Sequence, residues 1–321
     1  MLRNIISVNK IAITGITGFV GLNLSKSLKS NKSIKVFGIT RTPDELNKYN
    51  LNYEKILTAN HNFETYIHLA GKAHDTDYKT KREDFIEVNT KLTERVFDYF
   101  LNDPKAQNFI FISSIAAAAK NSEIPIDENC EAEPYGYYGE SKYLAENYIL
   151  DNLPESEGKK VFILRPPMIH GPGNKGNLNL LFKIIEKGIP WPLGSFNNKR
   201  SFLSIDNFCY VIKEILNNNI SQGVYNLADD EPLSTNQVVE MISEQLGRKP
   251  KILNFPKPII QFGAKLGNKL PLPLNEERLQ KLTENFLVSN KKIVSEIGKS
   301  LPISAKEGMR KTIQSLIEEH G

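Results

Sequence analysis

Short apolar runs alternate with amphipathic stretches through the first half of the chain. The runs have the length of buried strands, whereas the stretches between them repeat apolar residues at helical spacing, as Val20, Leu24 and Leu28 do. The predicted strands are Lys10–Thr14, Lys35–Ile39, Glu54–Thr58, Tyr66–Ala70, Asn108–Ser113 and Lys160–Leu164, and the predicted helices are Phe19–Leu28, Arg82–Leu101 and Tyr137–Leu150. Strands that alternate with helices predict βαβ units and a parallel sheet covered by helices on both faces.

The pattern changes after Arg165, where proline and glycine cluster at residues 166–176 and again at 188–194 and so indicate loops. Beyond them we expect a helix over Asn207–Leu216 that returns to the first domain, and two helices that open at the capping patterns Ser234–Gln237 and Ser304–Glu307. The predicted fold class is α/β: a Rossmann-type doubly wound parallel sheet with a smaller mixed α/β C-terminal substrate domain. The dinucleotide-binding domain is expected at residues 1–165 plus about 207–220, and the substrate-binding domain at 166–206 and 221–321.

The composition argues against several classes of function and location. The 321 residues are 24% charged and carry a net charge of only +4, which is too weak to indicate nucleic-acid binding. The two cysteines make no disulfide framework or zinc pattern, and no set of further ligands completes a metal site around the five histidines. The start of the chain does not have the pattern of a secretory signal, and no apolar run reaches the ~18 residues of a membrane span. We therefore expect a cytoplasmic protein without a metal, and with neither nucleic acid nor a membrane as partner.

A glycine-rich segment joins the first predicted strand to the first predicted helix, with the spacing Gly-x-x-Gly-x-x-Gly. In a nucleotide-binding turn, one glycine permits the tight bend, another lets the backbone approach a pyrophosphate, and the last allows close packing of helix on strand. The helix N-terminus adds free N–H groups and a positive dipole end. The segment therefore predicts a dinucleotide site, with an ordinary βα turn as the alternative. The candidate contacts are Gly15, Thr17, Gly18, Phe19, Val20 and Gly21.

The end of the second predicted strand bears on the choice of cofactor. An acidic residue there hydrogen-bonds the adenosine ribose of NAD, whereas an arginine accommodates the 2′-phosphate of NADP. The chain has Thr40 and Arg41 and no acidic residue at the strand end. We therefore expect NADP(H), with NAD(H) as the alternative. For Arg41, the alternative to cofactor binding is a solvated surface side chain.

Three residues have the chemistry needed to move a proton during hydride transfer. Tyr138 and Lys142 are four residues apart and share a helix face. A cation beside a phenol lowers the phenol pKa, and such a tyrosine can exchange a proton with a carbonyl or hydroxyl group. Ser114 lies at the end of a predicted parallel strand, where ligand sites of α/β proteins form. Polar capping of the strand end is the alternative for one of Ser113 and Ser114.

Together these segments resemble the extended short-chain dehydrogenase/reductase family, in its NAD-dependent epimerase/dehydratase branch. The similarity runs over nearly the whole chain and includes His68–Gly71, Phe111–Ser114, Pro134–Lys142, Leu164–Pro172, Arg200–Asp206 and Gly223–Leu227. His170 departs from the family pattern, since it stands where a tyrosine is usual.

The resemblance implies catalytic roles for Ser114, Tyr138 and Lys142, a structural role for Asn89, and a homodimer. It also implies that the cofactor contacts include Leu69, Ala70, Gly71, Tyr138, Lys142 and Pro166.

Within this family the chain looks most like bacterial enzymes of surface-polysaccharide sugar synthesis. The resemblance implies NADP(H)-dependent reduction of a 4-keto nucleotide sugar of the UDP-4-keto-6-deoxy-N-acetylhexosamine type. A UDP-sugar 4-epimerase with tightly bound NAD(P) is the alternative. A non-catalytic nucleotide-binding regulator is disfavoured, because Ser114, Tyr138 and Lys142 are all present.

The remaining candidates concern the UDP-sugar substrate. Arg200 and Arg278 are predicted to bind the diphosphate, because guanidinium groups hold phosphate oxygens bidentately; surface pairing is the alternative for Arg278. Asn177 is predicted to contact the nucleotide or to cap a helix. Trp191 is predicted to stack on a base or to fill a core. His74 is predicted to face the sugar or to be merely solvated.

Overall fold

The computed structural model describes residues 9–42, 49–58, 61–73, 81–153, 158–174, 176–268 and 275–320. The strands are β1 (Asn9–Thr14), β2 (Ile34–Thr40), β3 (Asn50–Asn52), β4 (Thr65–His68), β5 (Asn108–Ile112), β6 (Ser122–Ile126), β7 (Lys160–Arg165), β8 (Met168–His170), β9 (Phe202–Ser204), β10 (Gly223–Asn226) and β11 (Phe286–Val288).

The helices are α1 (Phe19–Lys29), α2 (Tyr53–Thr58), α3 (Arg82–Phe85), α4 (Leu92–Asn102), α5 (Gly136–Asp151), α6 (Asn177–Glu186), α7 (Ile205–Asn217), α8 (Thr235–Gln245), α9 (Lys257–Gly267), α10 (Glu276–Thr283), α11 (Lys291–Ile297) and α12 (Ala305–His320). A π-helical turn, Ile86–Lys91, joins α3 to α4, so the predicted long helix forms as one run with a widened turn inside it.

Seven of the described strands form one parallel sheet in the order β10-β7-β5-β4-β1-β2-β3. The chain moves outward from β1 to β3 and then continues with β4 on the other side of β1. Ligands of open α/β sheets bind where the order reverses in this way, outside the carboxyl ends of the strands. The predicted Rossmann-type fold is confirmed, and the glycine segment after β1 lies at the reversal.

Helices cover both faces of this sheet. On one face, α1, α7 and α11 pack against the strands, and on the other face α2, α4 and α5 do so. Strands buried on both faces have nearly continuous apolar sequences, which explains why the runs in the first half of the chain do not alternate.

The C-terminal segments form a second, smaller unit. Helices α6, α8, α9, α10 and α12 surround a core that includes Phe182, Trp191 and Met309, and two short parallel pairs, β8–β9 and β6–β11, lie outside the main sheet. Strand β10 and helix α11 pack in the sheet domain. The boundary predicted at residue 221 is therefore wrong for these two elements, because the pairing of β10 with β7 is a long-range contact that local pattern does not reveal.

The predicted strand Glu54–Thr58 is also wrong. The third strand is the short β3, which pairs with Gly38–Thr40 of β2, and residues 53–58 form helix α2. Tyr53 and Ile56 are three residues apart and both pack against the sheet. A helical turn directs such a pair to one side, whereas a strand would direct the two side chains to opposite faces.

Candidate active site

The turn after β1 depends on two of its glycines. Gly15 has a φ of +67°, in the left-handed region, and a Cβ there would lie 2.8 Å from the backbone nitrogen of Ala70. A Cβ on Gly21 would overlap the Gly15 carbonyl oxygen, so that α1 could not approach the turn. Gly18 is exposed, and its N–H donates to the Gly15 carbonyl at 3.0 Å. Gly15 and Gly21 shape the turn, while Gly18 keeps its outer side free of side-chain atoms.

Helix α1 begins at Phe19 without a side-chain cap from Gly18. The first N–H groups of a helix have no carbonyl partner within it, and the peptide dipoles give this end a partial positive charge. Thr17 and Gly18 are exposed here, while Phe19 and Val20 pack on the core of the sheet domain. An uncapped helix end beside a side-chain-free turn fits the phosphates of a dinucleotide.

The end of β2 presents a hydroxyl and a cation. Thr40 Oγ1 is buried and has no hydrogen-bond partner among the described residues, and Arg41 is exposed. Burial raises the pKa of Tyr53 to about 12, and the nearby charge of Arg41 opposes that rise. An unpartnered hydroxyl next to a guanidinium fits a phosphorylated adenosine ribose. Residues 43–48 lie outside the described part of the chain.

His68 at the end of β4 is fully buried between two threonines. Its Nδ1 lies 2.7 Å from Thr14 Oγ1 and its Nε2 lies 3.0 Å from Thr93 Oγ1. Thr14 Oγ1 accepts from the Ala70 N–H at 3.1 Å, and Thr93 Oγ1 donates to the Asn89 carbonyl at 2.6 Å. Since each hydroxyl has one proton, this network assigns the imidazole proton to Nε2. Burial lowers the pKa of His68 to about 3, so the ring is neutral.

Asn89, in the π-helical turn, ties the loop after β4 to helix α5. Its Oδ1 accepts from the Lys72 N–H at 2.7 Å, and its Nδ2 donates to the Lys72 carbonyl at 3.0 Å and to Ser141 Oγ at 2.9 Å. A Cβ on Gly71 would lie 3.0 Å from Asn89 Oδ1 and 3.2 Å from Lys142 Nζ. The side chain of Asn89 therefore has the structural role that the family resemblance implies, and π-turns recur at functional sites.

Ser114 and Tyr138 are brought together at the carboxyl end of the sheet. The Ser114 hydroxyl accepts from the Ala116 N–H at 3.2 Å and lies beside the Tyr138 phenol. Gly139 allows this approach, since a Cβ there would overlap the Ala116 carbonyl. Burial raises the pKa of Tyr138, and the nearby Ser114 hydroxyl opposes the rise. Lys142, which its spacing predicted to lower this pKa, is not among the groups that shift it, and the phenol keeps its proton at neutral pH.

Lys142 lies one turn further along α5 and is buried. Its amino group donates to the Ile112 carbonyl at 2.9 Å and lies 4.7 Å from the centre of the Phe111 ring. Burial lowers the pKa of Lys142 to about 8, and the charge of Glu146 opposes this. The amine is thus still mostly protonated at neutral pH, and it joins α5 to the end of β5.

A buried ion pair behind Lys142 was missed by the sequence analysis. Arg165 Nη2 donates to Glu146 Oε2 at 2.5 Å, and both side chains are buried. Ser113 donates to the same carboxylate. Ser113 is therefore the structural serine of the pair, and Ser114 is the one that meets the phenol. The available signal was the i,i+4 spacing of Lys142 and Glu146, which places a cation and an acid on one helix face.

The segment after β7 crosses to the smaller unit. Pro166 is buried, and its carbonyl accepts from the Ile115 N–H at 3.0 Å, next to the Ser114 turn. His170 is fully buried; its Nδ1 lies 2.8 Å from Thr312 Oγ1 and its Nε2 lies 3.7 Å from Asp229 Oδ2. The position at which the family pattern has a tyrosine thus holds a buried histidine that contacts α12.

The two predicted diphosphate arginines lie close in the fold. The guanidinium of Arg200 donates to the Lys281 carbonyl in α10, the helix that also carries Arg278, and lies 6.0 Å from the centre of the Phe286 ring. Burial lowers the pKa of Arg200, with the charge of Glu284 opposing. Arg278 itself is exposed. Arg200 is therefore held in place by its contacts, while Arg278 extends outward from the same region.

The other three residues predicted to contact the substrate are Trp191, Asn177 and His74. Trp191 is buried in the core of the smaller unit, and its Nε1 donates to Asn236 Oδ1 at 3.0 Å, so the core-filling alternative describes it and the base-stacking one does not. Asn177 is exposed at the first position of α6, whose cap is Gly176, so it does not cap the helix. His74 lies outside the described residues.

Comparison with known proteins identifies the same family that the sequence motifs resemble. The family model "NAD dependent epimerase/dehydratase family" matches residues 11–228. UDP-glucose 4-epimerase of Vibrio cholerae is 29% identical over 321 residues, covering 96% of this chain and 95% of the relative. N-acetyl-α-D-glucosaminyl-diphospho-ditrans,octacis-undecaprenol 4-epimerase of Escherichia coli O157:H7 is 29% identical over 269 residues, covering 80% of this chain and 78% of the relative.

A reductase and a solved structure are also similar. The dTDP-4-dehydro-6-deoxyglucose reductase of Escherichia coli is 25% identical over 273 residues, covering 78% of this chain and 86% of the relative. The crystal structure of UDP-glucuronic acid 4-epimerase from Bacillus cereus with NAD has a TM-score of 0.73 at 20% identity, covering 97% of this chain and all of that one, and so shares the fold. The chain belongs to the NAD dependent epimerase/dehydratase family and is a nicotinamide-dependent enzyme.

Proposed function

We propose that this enzyme reduces a 4-keto nucleotide sugar, of the UDP-4-keto-6-deoxy-N-acetylhexosamine type, with NADP(H). The observation that carries the proposal is the pair Ser114 and Tyr138, which lie side by side at the carboxyl end of β5, next to the strand β4 where the sheet order reverses. Because burial raises the pKa of Tyr138, the phenol is an acid at neutral pH. A protonated phenol suits the reductive direction, in which a carbonyl oxygen must gain a proton.

The described residues fit the cofactor. The exposed side of the turn at Gly18 and the free end of α1 would hold the pyrophosphate. Gly71 and Lys142, which lie so close that a side chain at residue 71 would crowd the lysine amine, would line the adjoining ribose. When bound, the reduced nicotinamide supplies hydride to the C4 carbonyl carbon of the sugar.

The remaining chemistry belongs to the protein. Tyr138 donates its proton to the C4 oxygen as that oxygen becomes a hydroxyl, and Ser114, which lies beside the phenol, positions the same oxygen by donating a hydrogen bond to it. Lys142 acts by its charge and its bond to the Ile112 carbonyl, which fix the end of β5 against α5. Arg200 and Arg278 bind the diphosphate, the first held against Phe286 and the second exposed.

Replacement of the phenol is the direct test of this mechanism. We expect Tyr138→Phe to lower kcat by about 10²–10⁴, the usual contribution of a positioned proton donor, with cofactor binding nearly unchanged. Tyr137→Phe is the matched control, because Tyr137 is the neighbouring, exposed tyrosine. Full activity in Tyr138→Phe would refute the assignment.

The preference for NADP(H) rests on Arg41 and Thr40. Loss of a charge-assisted contact to the 2′-phosphate predicts that Arg41→Ala raises KM for NADPH by roughly 10–100-fold. KM for NADH should stay constant, since NADH lacks that phosphate, and this serves as the internal control. Equal efficiency of the unmodified enzyme with NADH and NADPH would contradict the preference.

A 4-epimerase is the second candidate, favoured by the names of two relatives at 29% identity. The same Ser114 and Tyr138 would then remove and return the proton, with no net consumption of cofactor. Such an enzyme is expected to purify with NAD(P) bound, whereas a reductase must exchange it. One of the two relatives acts on a sugar linked through diphosphate to undecaprenol, so the class of substrate extends to lipid-linked sugars.

The deciding experiment follows NADPH absorbance when the protein meets UDP-4-keto-6-deoxy-N-acetylglucosamine. Consumption equimolar with the sugar would support the reductase. No consumption, together with conversion of UDP-glucose or UDP-N-acetylglucosamine to its 4-epimer without added reductant, would transfer the assignment to the epimerase.

We also propose a homodimer through the exposed side of α5. Tyr137 and Leu144 lie two turns apart on this helix and are both exposed large side chains, which a partner would cover. Sedimentation equilibrium should therefore give twice the chain mass, and Leu144→Glu should give the monomer. A monomeric unmodified protein at micromolar concentration would exclude the dimer.

A further inference from the structure

Helix α9 has an apolar face that no described element covers. Ile259, Phe262 and Leu266 recur at helical spacing and are 61%, 64% and 41% exposed. The opposite side of the helix is anchored in the smaller unit, where Ala264 is fully buried and Ile260 packs against the core. The helix is therefore fixed to the protein by one face and projects large apolar side chains from the other.

The segment before α9 extends this face. Leu253 and Phe255 are 42% and 43% exposed. Single exposed apolar residues are common on soluble proteins, but a contiguous group marks an interaction site. We call Leu253, Phe255, Ile259, Phe262 and Leu266 the α9 face.

The charge of the surrounding sequence indicates what covers the α9 face. From Gln245 to Asn275 the chain contains no acidic residue and six basic ones: Arg248, Lys249, Lys251, Lys257, Lys265 and Lys269. Lys251, Lys257 and Lys265 are exposed, and Lys257 Nζ also lies 5.5 Å from the centre of the Phe196 ring. An acidic side chain reaches this region at the C-terminal end of α9, where the Glu276 carboxylate accepts from Asn268.

We propose that the α9 face docks on an anionic phospholipid surface. Apolar side chains at one helix face, bordered by lysines, insert at the boundary of headgroups and acyl chains while the lysines attract acidic lipids. The described part of the chain contains no helix with the length and apolar character of a membrane span. This proposal replaces the expectation of no membrane partner that composition alone suggested.

A second copy of the chain is the competing occupant, and the charges disfavour it. A two-fold dimer through the α9 face would bring the same patch against itself, and so place two sets of exposed lysines, Lys251, Lys257 and Lys265, in one interface. Like charges held together without acidic partners oppose that association. An anionic lipid surface is complementary to the same charges.

Docking in this way would orient the candidate active site. Helix α9 packs against α10, which carries Arg278 and accepts the hydrogen bond of Arg200. The region proposed to bind a sugar diphosphate would therefore lie near the headgroups. The lipid contact does not depend on which sugar is bound, and it stands or falls independently of the catalytic assignment.

Co-sedimentation with vesicles tests the docking directly. The full chain should bind vesicles of phosphatidylcholine mixed with phosphatidylglycerol, bind pure phosphatidylcholine vesicles weakly, and be released by high salt. Phe262→Asp should lower the partition coefficient at least about tenfold, because it removes a large inserted side chain and adds a negative charge. Lys265→Glu should lower it more than the roughly fivefold expected for loss of one lysine.

Matched variants separate docking from nonspecific effects. Ile124→Asp changes an exposed apolar residue in β6, and Lys32→Glu changes an exposed lysine in the loop between α1 and β2. Both should bind as the unmodified chain does, and all four variants should melt at similar temperatures. Equal binding by Phe262→Asp, or equal binding to both kinds of vesicle, would overturn the proposal. A lipid-free dimer that Phe262→Asp dissociates would assign the face to a second copy instead.

Discussion

Acid should destabilise this protein through the buried imidazole of His68. The ring accepts from Thr14 and donates to Thr93, and these two hydroxyls are themselves bonded to Ala70 and Asn89. This directed chain is complete only with a neutral ring. A second proton, on Nδ1, would face the Thr14 hydroxyl, and the proton of that hydroxyl would then lose its acceptor. The site has no exposure to water, so no water molecule replaces the lost hydrogen bond.

The magnitude follows from the pKa of His68, which burial and the charge of Lys142 lower from 6.5 to about 3. Between these two values the unfolded chain binds a proton that the folded protein does not. Stability is therefore highest above pH 6.5 and is lost progressively as the pH falls toward 3. At 1.36 kcal/mol per pKa unit, the loss from this residue is about 2 kcal/mol on going from pH 7 to pH 5.

The assay is urea unfolding at both pH values for the unmodified chain and for His68→Gln. Glutamine retains one donor and one acceptor but does not titrate in this range. The variant will be less stable at pH 7, because its amide does not reproduce the ring geometry, but that cost is common to both pH values and cancels. The unmodified chain should lose about 2 kcal/mol more than His68→Gln between pH 7 and pH 5. Equal losses would refute the neutral, buried ring.

Four further perturbations test other parts of the site. Gly15→Ala should destabilise the folded protein by about 1–3 kcal/mol in thermal melting, because residue 15 has a positive φ and its Cβ would contact Ala70. Gly18→Ala should melt normally but bind NADPH more weakly in titration calorimetry. Arg165→Met leaves the Glu146 carboxylate buried without its cationic partner, with only the Ser113 hydroxyl still donating to it, and should cost about 3–5 kcal/mol in urea unfolding. Since the pKa of Lys142 is lowered to about 8, KM for the cofactor should rise from pH 7 to 9 as the amine loses its charge, and a flat profile would contradict a role for that charge.

The sheet domain could be read largely from local sequence. Runs such as Lys10–Thr14 and Asn108–Ser113 are apolar on both sides of the strand, and the helices between them have one apolar stripe, so element type follows from periodicity alone. The glycine segment was equally readable, because a positive φ at Gly15 and the close approach at Gly21 are backbone requirements that only glycine meets.

Contacts between distant segments decided the rest. Whether Trp191 fills a core or stacks on a base depends on Asn236 and the helices of the smaller unit, which lie far away in sequence. The choice between Ser113 and Ser114 depends on the position of Glu146. The sign of the pKa change at Tyr138 depends on how much water the fold removes from the phenol, and the lysine that spacing alone identifies is not among the groups that shift this pKa.

Sequence by itself therefore determined the kind and order of most elements of the sheet domain and proposed the candidate reactive groups, because these depend on neighbours within a few residues. Tertiary structure alone decided the solvent exposure of each group, its hydrogen-bond partners and the domain to which β10 and α11 belong. The physical reason is that desolvation and pairing energies are set by atoms brought together across the whole chain, and a local pattern of polar and apolar residues contains no record of them.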